Sequence, residues 1–333
     1  MDIFIDPQFE PRYRQQPLVL VDVGARGGLK SNWAAARRHL RVLGFEPEKR
    51  EFDTLAGPDS AAPAATRYFD VALHRRRGPL RLHVARDRGL TSIYEPNRAF
   101  LDAFPEANRF DTVDVHEVQA DTLDDHLQSH GLNDVDFVKV DTQGSELLVL
   151  EGGSRMLGSS VSGVEVEVEF APIYREQPLF ADVDRFLRGL GFVLFDLRPC
   201  YWKRAAGRAL GGPRGQIIWA DALYLKSVPG LQSTIASLDS SLQAGKWLRA
   251  ISIALLYGYF DYALEIARAA DSLAPDERAL IERRLREGGE QLAPLPKFPG
   301  KRPAAAALRR LWKLCLDSDD AWSVSDAELG NPS

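Results

Sequence analysis

Cysteine is scarce in this chain, which has two, Cys200 and Cys315, among 333 residues. Two cysteines supply neither a disulfide framework nor the paired spacing of a zinc site, so we predict reduced thiols. The six histidines are scattered along the chain and show no metal-ligand spacing. The sequence therefore gives no reason to expect a metal.

Long apolar runs and a large excess of charge are also missing. The apolar stretch 250–257 (AISIALLY) is far too short to cross a bilayer, and the first sixteen residues lack the basic and then apolar pattern of a signal peptide. The 42 basic and 47 acidic residues give a net charge of −5, which argues against a general polyanion binder. We therefore expect a cytoplasmic protein with no membrane span and no nucleic-acid partner.

Strand-like apolar runs alternate with helical patterns through the first two-thirds of the chain. This alternation is typical of an α/β protein, and it predicts a Rossmann-like, doubly wound, mostly parallel sheet with helices on both faces. Strands are predicted at residues 18–23, 41–46, 66–72, 81–84, 114–119, 135–140, 163–170, 192–197 and 216–225. Helices are predicted between them, at residues 31–39, 47–56, 122–130, 145–156 and 179–190.

The composition changes after residue 227, where alanine- and leucine-rich helical periods begin. Trp247, Ala263, Ala270 and Pro275 have spacings that resemble one tetratricopeptide-type helix pair. A stable array needs about three repeats, so a helical cap on the main domain is the alternative. We predict a domain at residues 1–228 and a helical region at 229–333, with a Pro/Gly-rich linker at 288–307 and a mobile tail from 317. These helices are candidates for a protein partner or for self-association.

The segment 18–28, LVLVDVGARGG, joins an apolar strand to a turn rich in glycine. Glu46 ends the next apolar run, 22 residues after Gly24. This spacing suits a strand–turn–helix–strand unit that holds a nucleoside, in which glycines admit the ligand and the acid binds ribose hydroxyls. Arg26 and Leu29 occupy the second and third glycine positions of the dinucleotide fingerprint, which argues against a nicotinamide cofactor.

Several acidic residues lie at or near the carboxyl ends of predicted strands: Asp22, Glu46, Asp70, Asp141 and Glu169. Ligands of open α/β sheets bind outside the carboxyl ends of the strands. The sequence therefore predicts that these carboxylates share one site.

Two of these carboxylates have structural alternatives. Glu46 could cap a helix near Pro47. Asp141 could pair with Lys139, which lies on the same strand face, or cap the helix that begins near Ser145.

Five segments, in this order and spacing, resemble the FkbM-type methyltransferases from residue 18 to about 225: VDVGARGG, GFEPEK, DTLDDHL, DFVKVDTQGSELLVLEGG and VEVEVEFAPIYREQPLFADVDRFLRGLGFVLFDL. The family commonly shows a Lys-x-Asp-x-Glu-Gly-x-Glu pattern. Lys139, Asp141, Gly144 and Glu146 match it, and Gln143 stands where glutamate is common. The resemblance does not extend beyond about residue 230.

The resemblance implies a class I methyltransferase fold and an O-methyltransferase that uses S-adenosylmethionine. By resemblance, Asp22, Gly24 and Gly28 border the methionine and ribose end of the cofactor. Glu46 would hold the ribose hydroxyls, and Asp141 would face the reacting centre as a catalytic and cofactor-binding residue. The implied acceptor is a hydroxyl of a sugar, a glycan or a polyketide natural product.

The acceptor site is predicted from the segment after residue 163. Glu165, Glu167 and Glu169 alternate with valines, so all three share one strand face. Three buried like charges would be costly, so this face is either solvated, covered by basic groups or open to a cleft. We predict Glu169 as a catalytic residue, either the base or an anchor for the acceptor hydroxyl, and the predicted acceptor-binding residues are Glu167, Tyr174, Gln177 and Trp202. The alternative for the two aromatic residues is that they fill the core.

Two other functions remain open from the sequence. One is a non-catalytic nucleoside-binding domain fused to a helical interaction module. The other is a sugar enzyme that depends on a nicotinamide cofactor.

Overall fold

The computed structural model describes residues 3–57, 62–63, 65–210, 215–291, 298–317, 322–325 and 329. The described strands are β1 (Leu18–Val23), β2 (Leu40–Phe45), β3 (Ala65–Phe69), β4 (Ala72–Leu73), β5 (Gly78–Ala85), β6 (Thr112–Asp121), β7 (Phe137–Val140), β8 (Gly163–Glu169), β9 (Phe192–Trp202), β10 (Gln216–Lys226) and β11 (Ser323–Ser325).

The α-helices of the described residues are α1 (Glu10–Gln15), α2 (Lys49–Leu55), α3 (Arg98–Leu101), α4 (Leu123–Ser129), α5 (Glu146–Gly152), α6 (Ser154–Ser159), α7 (Phe180–Gly189), α8 (Val228–Ala236), α9 (Ser240–Leu256), α10 (Phe260–Ala269), α11 (Pro275–Gln291) and α12 (Lys301–Asp317). Short 3₁₀ helices lie at Ile3–Ile5, Ser31–His39, Arg88–Leu90, Ala107–Phe110 and Ala205–Leu210.

The main sheet has the strand order β11-β9-β10-β8-β7-β1-β2-β3. β1 is an interior strand and pairs in parallel with β2 and β7, while β10 runs antiparallel between β8 and β9. All six residues of β1 are buried, as expected for a parallel strand covered on both faces. The predicted Rossmann-like, mostly parallel sheet is confirmed.

Two hydrophobic clusters cover the two faces of this sheet. The alternation along β1 divides them, since Leu18 and Leu20 face one cluster while Val19, Val21 and Val23 face the other. Helices α4 to α7 pack on the valine side. The 3₁₀ helix Ser31–His39, α1 and helices α8 to α11 pack on the leucine side.

A second sheet was not expected from the sequence. β4, β6 and β5 form it, so the strand predicted at 114–119 does not belong to the main sheet, and the strand predicted at 66–72 divides into β3 and β4. Most of β6 is exposed, including Val113 and Val115. The alternating sequence TVDVHEVQ suits such a solvated antiparallel pair, whereas buried parallel strands are apolar almost throughout.

Two predicted helices differ from the structure. Residues 31–39 form a 3₁₀ helix rather than an α-helix. The helix predicted at 145–156 is divided into α5 and α6 near Gly152 and Gly153. A Cβ atom at Gly152 would lie 2.3 Å from the carbonyl oxygen of His74, so the glycine lets the end of α5 approach β4 closely.

The helices after residue 227 complete the core of the sheet domain. Trp247 on α9 and Ala263 on α10 belong to the same buried cluster as Leu18 and Leu20 on β1. This packing agrees with a helical cap rather than with a separate helical array. None of the described helices is long and apolar enough to cross a bilayer.

The structure describes part of the predicted linker and of the predicted tail. Helices α11 and α12 occupy both sides of the predicted linker, and residues 292–297 between them lie outside the described residues. In the predicted mobile tail, β11 pairs with the edge strand β9. Residues 318–321, 326–328 and 330–333 of that tail also lie outside the described residues.

A buried ion-pair cluster joins α9 to the amino end of β7. Asp136 lies 2.6 Å from Lys246 and 2.9 Å from Arg249, and Asp134 contacts the same two cations. Asp136 also accepts a 2.9 Å hydrogen bond from the backbone nitrogen of Val19. Burial alone would raise the pKa of Asp136, but the two cations hold it below its ordinary value. The C-terminal helices and the sheet are therefore joined by charge as well as by apolar contact.

We expect Asp136→Ala to destabilise the fold by about 3–5 kcal/mol, because it removes the fully buried one of the two carboxylates that pair with buried Lys246 and Arg249. Denaturant unfolding measures the change, and Glu117→Ala, at an exposed carboxylate on β6, is the control. A loss no larger than that of the control would show that the cluster contributes little to stability.

Candidate active site

A cleft opens at the carboxyl ends of β1, β2 and β7. Gly24, Glu46 and Asp141, which follow these three strands, lie on its wall. Other parts of the wall come from the second sheet and the loop after it, including Leu82 and Arg88. The structure thus brings three of the predicted cofactor-binding residues to one cleft. The contribution of the second sheet was missed, because its strands carry no recognisable ligand motif.

Gly24 allows the turn after β1 to approach the end of β7. Its φ of +72° is a left-handed conformation, and a Cβ atom there would lie 1.9 Å from the carbonyl oxygen of Asp141. Gly27 and Gly28 also have positive φ, but no atom lies within 4 Å of a Cβ built at either. Gly28 is not part of the cleft wall, so its predicted cofactor contact stays a prediction.

Lys139 connects the ends of β1 and β7. Its Nζ lies 3.1 Å from Oδ1 of Asp22, 3.2 Å from the carbonyl oxygen of Gly24 and 3.9 Å from Oδ2 of Asp141. Burial alone would lower the pKa of Lys139, but Asp22 and Asp141 raise it, so the ammonium stays charged. Asp22 is 5% exposed and is not part of the cleft wall; in this structure it holds Lys139.

Glu46 faces the cleft although it is 8% exposed. One of its oxygens accepts a 2.9 Å hydrogen bond from the backbone nitrogen of Glu48. The helix cap is Glu48, whose side chain accepts from the nitrogen of Glu51, so the capping alternative for Glu46 is wrong. Burial raises the pKa of Glu46 to about 7. Asp70 is exposed and lies outside the cleft wall, next to its residues Val71 and Ala72.

Gln143 links Asp141 to the residues behind the cleft. Its Nε2 donates to Asp141 Oδ1 at 3.1 Å and to Glu167 Oε1 at 2.7 Å. Its Oε1 lies 3.2 Å from the hydroxyl of Tyr174. A glutamate at this position would place a third carboxylate beside two others, whereas the amide can donate to both. In the sequence, Gln143 could be recognised only by its departure from the family pattern. The structure shows its role, which is to bond Asp141 and Glu167 through one amide.

Glu146 shapes the loop that follows β7, a role that sequence reasoning missed. It is 2% exposed, and its carboxylate accepts hydrogen bonds from the backbone nitrogens of Thr142 and Gly144 at 2.7 and 3.0 Å. These bonds hold residues 142–144 against the start of α5. The alternative in which Asp141 caps this helix is not seen, because the N-cap residue of α5 is Ser145 and no side chain makes a cap hydrogen bond there.

Glu146, Glu167 and Glu169 form an acidic cluster with one oxygen of each within 4.8 Å of the others. Burial, and then the neighbouring carboxylates, raise the pKa of Glu167 and Glu169 well above the ordinary value. Glu169 is 2% exposed, and its Oε1 has no hydrogen-bond partner among the described residues. The three carboxylates supply oxygen atoms of the kind that bind a cation. Glu169 is not on the cleft wall, so its predicted role as a base is not supported by the geometry.

The other predicted acceptor-binding residues are buried. Tyr174 is 1% exposed, and its backbone nitrogen donates to the side-chain oxygen of Gln177. Trp202 is 6% exposed and packs edge-on against Phe104 and Trp322. In this structure both aromatic rings fill the core, which is the alternative given for them above.

Comparison with family profiles decides the family. The profile described as "Methyltransferase FkbM domain" matches residues 22–194, which is just over half of the chain. The chain belongs to the FkbM methyltransferase family. The resemblance stated from the sequence is therefore confirmed. Comparison with curated proteins gave no match.

Solved structures with a similar outline include an FkbM methyltransferase from Methylobacillus flagellatus KT, at 15% identity and a TM-score of 0.37. The match covers 63% of this chain and 43% of that one, so this chain spans less than half of the Methylobacillus chain. A TehB-like S-adenosylmethionine-dependent methyltransferase from Corynebacterium glutamicum matches at 10% identity and a TM-score of 0.28, covering 65% and 87% of the two chains.

A 16S rRNA (adenine(1408)-N(1))-methyltransferase from Catenulisporales acidiphilia matches at 14% identity and a TM-score of 0.30. That match covers 67% of this chain and 92% of the other. Likenesses at these scores do not carry a substrate from one protein to another.

The cofactor of the FkbM family is S-adenosylmethionine, and the residues present fit it. Gly24 lets the ends of β1 and β7 meet, so that Gly24 and Asp141 lie together on the cleft wall. Glu46 offers a carboxylate at the end of β2, where a ribose lies in nucleoside-binding α/β sheets. Lys139 keeps the neighbouring carboxylates from repelling one another.

Gly24→Ala and Gly27→Ala form a matched pair of substitutions. Both introduce a left-handed alanine, which costs about 1–2 kcal/mol. Only Gly24→Ala also drives a Cβ atom into the backbone of Asp141, so we expect it to cost about 3 kcal/mol or more. Denaturant unfolding of both variants checks this difference, and equal losses would contradict the close approach of the two strand ends.

Proposed function

We propose that the protein transfers a methyl group from S-adenosylmethionine to a hydroxyl of a sugar, a glycan or a polyketide natural product. Family membership supports methyl transfer in general. The observation that carries the proposal is that Gly24, Glu46 and Asp141 line one cleft at the carboxyl ends of β1, β2 and β7. A hydroxylated small molecule or glycan is therefore the partner that we expect for this cleft.

The cofactor supplies a methyl group that its sulfonium already activates. The protein has to bind the cofactor, orient the acceptor oxygen and remove its proton. Glu46 would accept hydrogen bonds from the ribose hydroxyls, and the turn at Gly24 would border the methionine end. Positioning of this kind can lower a barrier by several kcal/mol, about 7–11 at best.

Asp141 is the carboxylate best placed to accept the proton of the acceptor hydroxyl. It lies on the cleft wall, and 35% of its side chain is exposed. Gln143 holds Oδ1 and Lys139 lies near Oδ2, so the carboxylate is fixed in orientation. Asp141 would hold the acceptor hydroxyl and take its proton, while the cofactor would supply the methyl group, keep the electron pair of the broken sulfur–methyl bond and leave as a neutral thioether. We assign this role to Asp141 rather than to buried Glu169.

A screen of candidate acceptors with a labelled methyl donor tests the proposed acceptor class. The panel contains sugars, glycans and macrolide alcohols, and methyl incorporation into one of these supports the proposal. An RNA sample tests the expectation that nucleic acid is not the acceptor. NADH in a parallel binding assay tests the nicotinamide alternative, and binding of NADH in place of S-adenosylmethionine would overturn the proposal.

Glu46→Gln should weaken S-adenosylmethionine binding by about 10- to 100-fold, because a charged acceptor for the ribose hydroxyls is lost. Because the pKa of Glu46 is about 7, we expect the native protein to bind more weakly at pH 6, where the carboxyl is protonated, than at pH 8. The variant should lose most of that pH dependence. Calorimetric titration measures the affinity and its pH dependence, with Glu117→Gln as the control. Asp70→Asn in the same titration tests the prediction that Asp70 binds the cofactor.

Asp141→Asn should lower the rate of methyl transfer by about 10²–10⁴-fold, the usual contribution of a general base. Single-turnover assays on the acceptor found in the screen measure this rate. Glu169→Gln is the comparison, since the sequence predicted it as a base and the structure places it outside the cleft wall. A larger loss in Glu169→Gln than in Asp141→Asn would reverse the assignment.

A further inference from the structure

Helix α12 exposes a group of large apolar side chains. Leu308, Leu311, Trp312 and Leu314 are 58–67% exposed, and they make up four of the nine exposed large hydrophobic residues among those described. The protein has six tryptophans, and Trp312 is the exposed one. A cluster of this kind on one helix marks a binding surface rather than scattered surface residues.

The exposed residues of α12 fall on two distinct faces. Leu308, Leu311, Trp312 and Cys315 follow the spacing i, i+3, i+4 and i+7, which forms one stripe along a helix. Arg309 and Arg310, at roughly 100° and 200° around the axis from Leu308, lie away from that stripe. The helix is therefore amphipathic, with Arg309 and Arg310 on either side of an apolar face that Leu314, at roughly 240°, extends towards Arg310.

The charge of α12 differs in sign from that of the whole protein. Residues 301–317 contain five Lys or Arg and one Asp, whereas the net charge of the chain is −5. The helix has 17 residues and is too charged to cross a bilayer. A basic amphipathic helix with Leu and Trp on its apolar face is typical of segments that lie flat in the interface of a membrane.

We propose that α12 binds the surface of an anionic phospholipid bilayer. The apolar stripe of Leu308, Leu311 and Trp312 enters the boundary between headgroups and acyl chains. Arg309 and Arg310 contact the lipid phosphates. This inference does not depend on the proposed methyl transfer, because it uses none of the residues of the cleft.

A bilayer suits this surface better than a second copy of the chain does. If two α12 helices paired through their apolar stripes, the arginines of both would lie along the edges of the same interface, where like charges repel. An anionic membrane accepts the apolar stripe and attracts the arginines at once. Self-association is therefore kept as an outcome of the test.

The test is co-sedimentation of the full-length protein with vesicles. We expect binding to vesicles of phosphatidylcholine with one-quarter phosphatidylglycerol, weaker binding at high NaCl, and little binding to pure phosphatidylcholine. The fluorescence of the native protein should shift to the blue on binding, and Trp312→Phe should remove that shift.

Two double variants separate the apolar and charged contributions. Leu308→Asp with Leu311→Asp, and Arg309→Glu with Arg310→Glu, should each reduce binding at least tenfold. Arg283→Glu with Arg286→Glu makes the same change of charge at exposed positions on α11 and should bind nearly as well as the native protein. Circular dichroism and melting temperature confirm that each variant is folded.

Three results would overturn the proposal. The first is equal binding of the protein to neutral and anionic vesicles, and the second is an equal loss of binding in the α11 and α12 arginine variants. The third is an absence of vesicle binding in a protein that forms an oligomer, where the double variant Leu308→Asp with Leu311→Asp dissociates that oligomer. The last result would assign α12 to contact between copies of the chain. Binding of S-adenosylmethionine should be the same in all these variants, so a failure here is separable from a failure of the proposed function.

Discussion

The ammonium group of Lys139 lies between groups that would otherwise repel one another. It is within 3.1 Å of Asp22 on β1 and 3.9 Å of Asp141 after β7, and it also bonds the carbonyl oxygen of Gly24. Without this charge, two carboxylates at the ends of neighbouring strands would favour protonation or separation. The rest of the cleft depends on the contact, because it fixes both the glycine turn and the carboxylate on the cleft wall.

Behind the cleft, the carboxylates of Glu146 and Glu167 accept hydrogen bonds from neutral donors rather than from cations. Gln143 donates to Asp141 and to Glu167, and backbone N–H groups donate to Glu146. These donors orient carboxylates that burial would otherwise disfavour as ions. Gln143 has a φ of +57°, so the loop after β7 is held in an uncommon conformation by the same bonds that fix the carboxylates.

Residue patterns determined the main sheet and the site region. The apolar run at 18–23 corresponds to strand β1, because buried parallel strands need nearly continuous apolar residues. The alternation of valine and glutamate at 163–170 corresponds to strand β8 to within one residue, because alternate residues of a strand share one face. The sequence predicted Gly24, Glu46 and Asp141 as site residues because glycines and acids at the ends of strands have a characteristic spacing. The prediction of Trp202 as an acceptor contact had no such support, since an aromatic residue has the same appearance in a core and in a site.

The sequence by itself determined which residues form the central strands and which of their ends carry acids and glycine. Only the tertiary structure decided which acids line the cleft: Glu46 and Asp141 reach it, Asp22 holds Lys139, and Glu169 is buried. It also decided that β6 forms a second sheet and that α9 shares the core of β1. The physical reason is that spacing along a chain records local periodicity, whereas the exposure and partners of a side chain depend on elements that pack from distant positions.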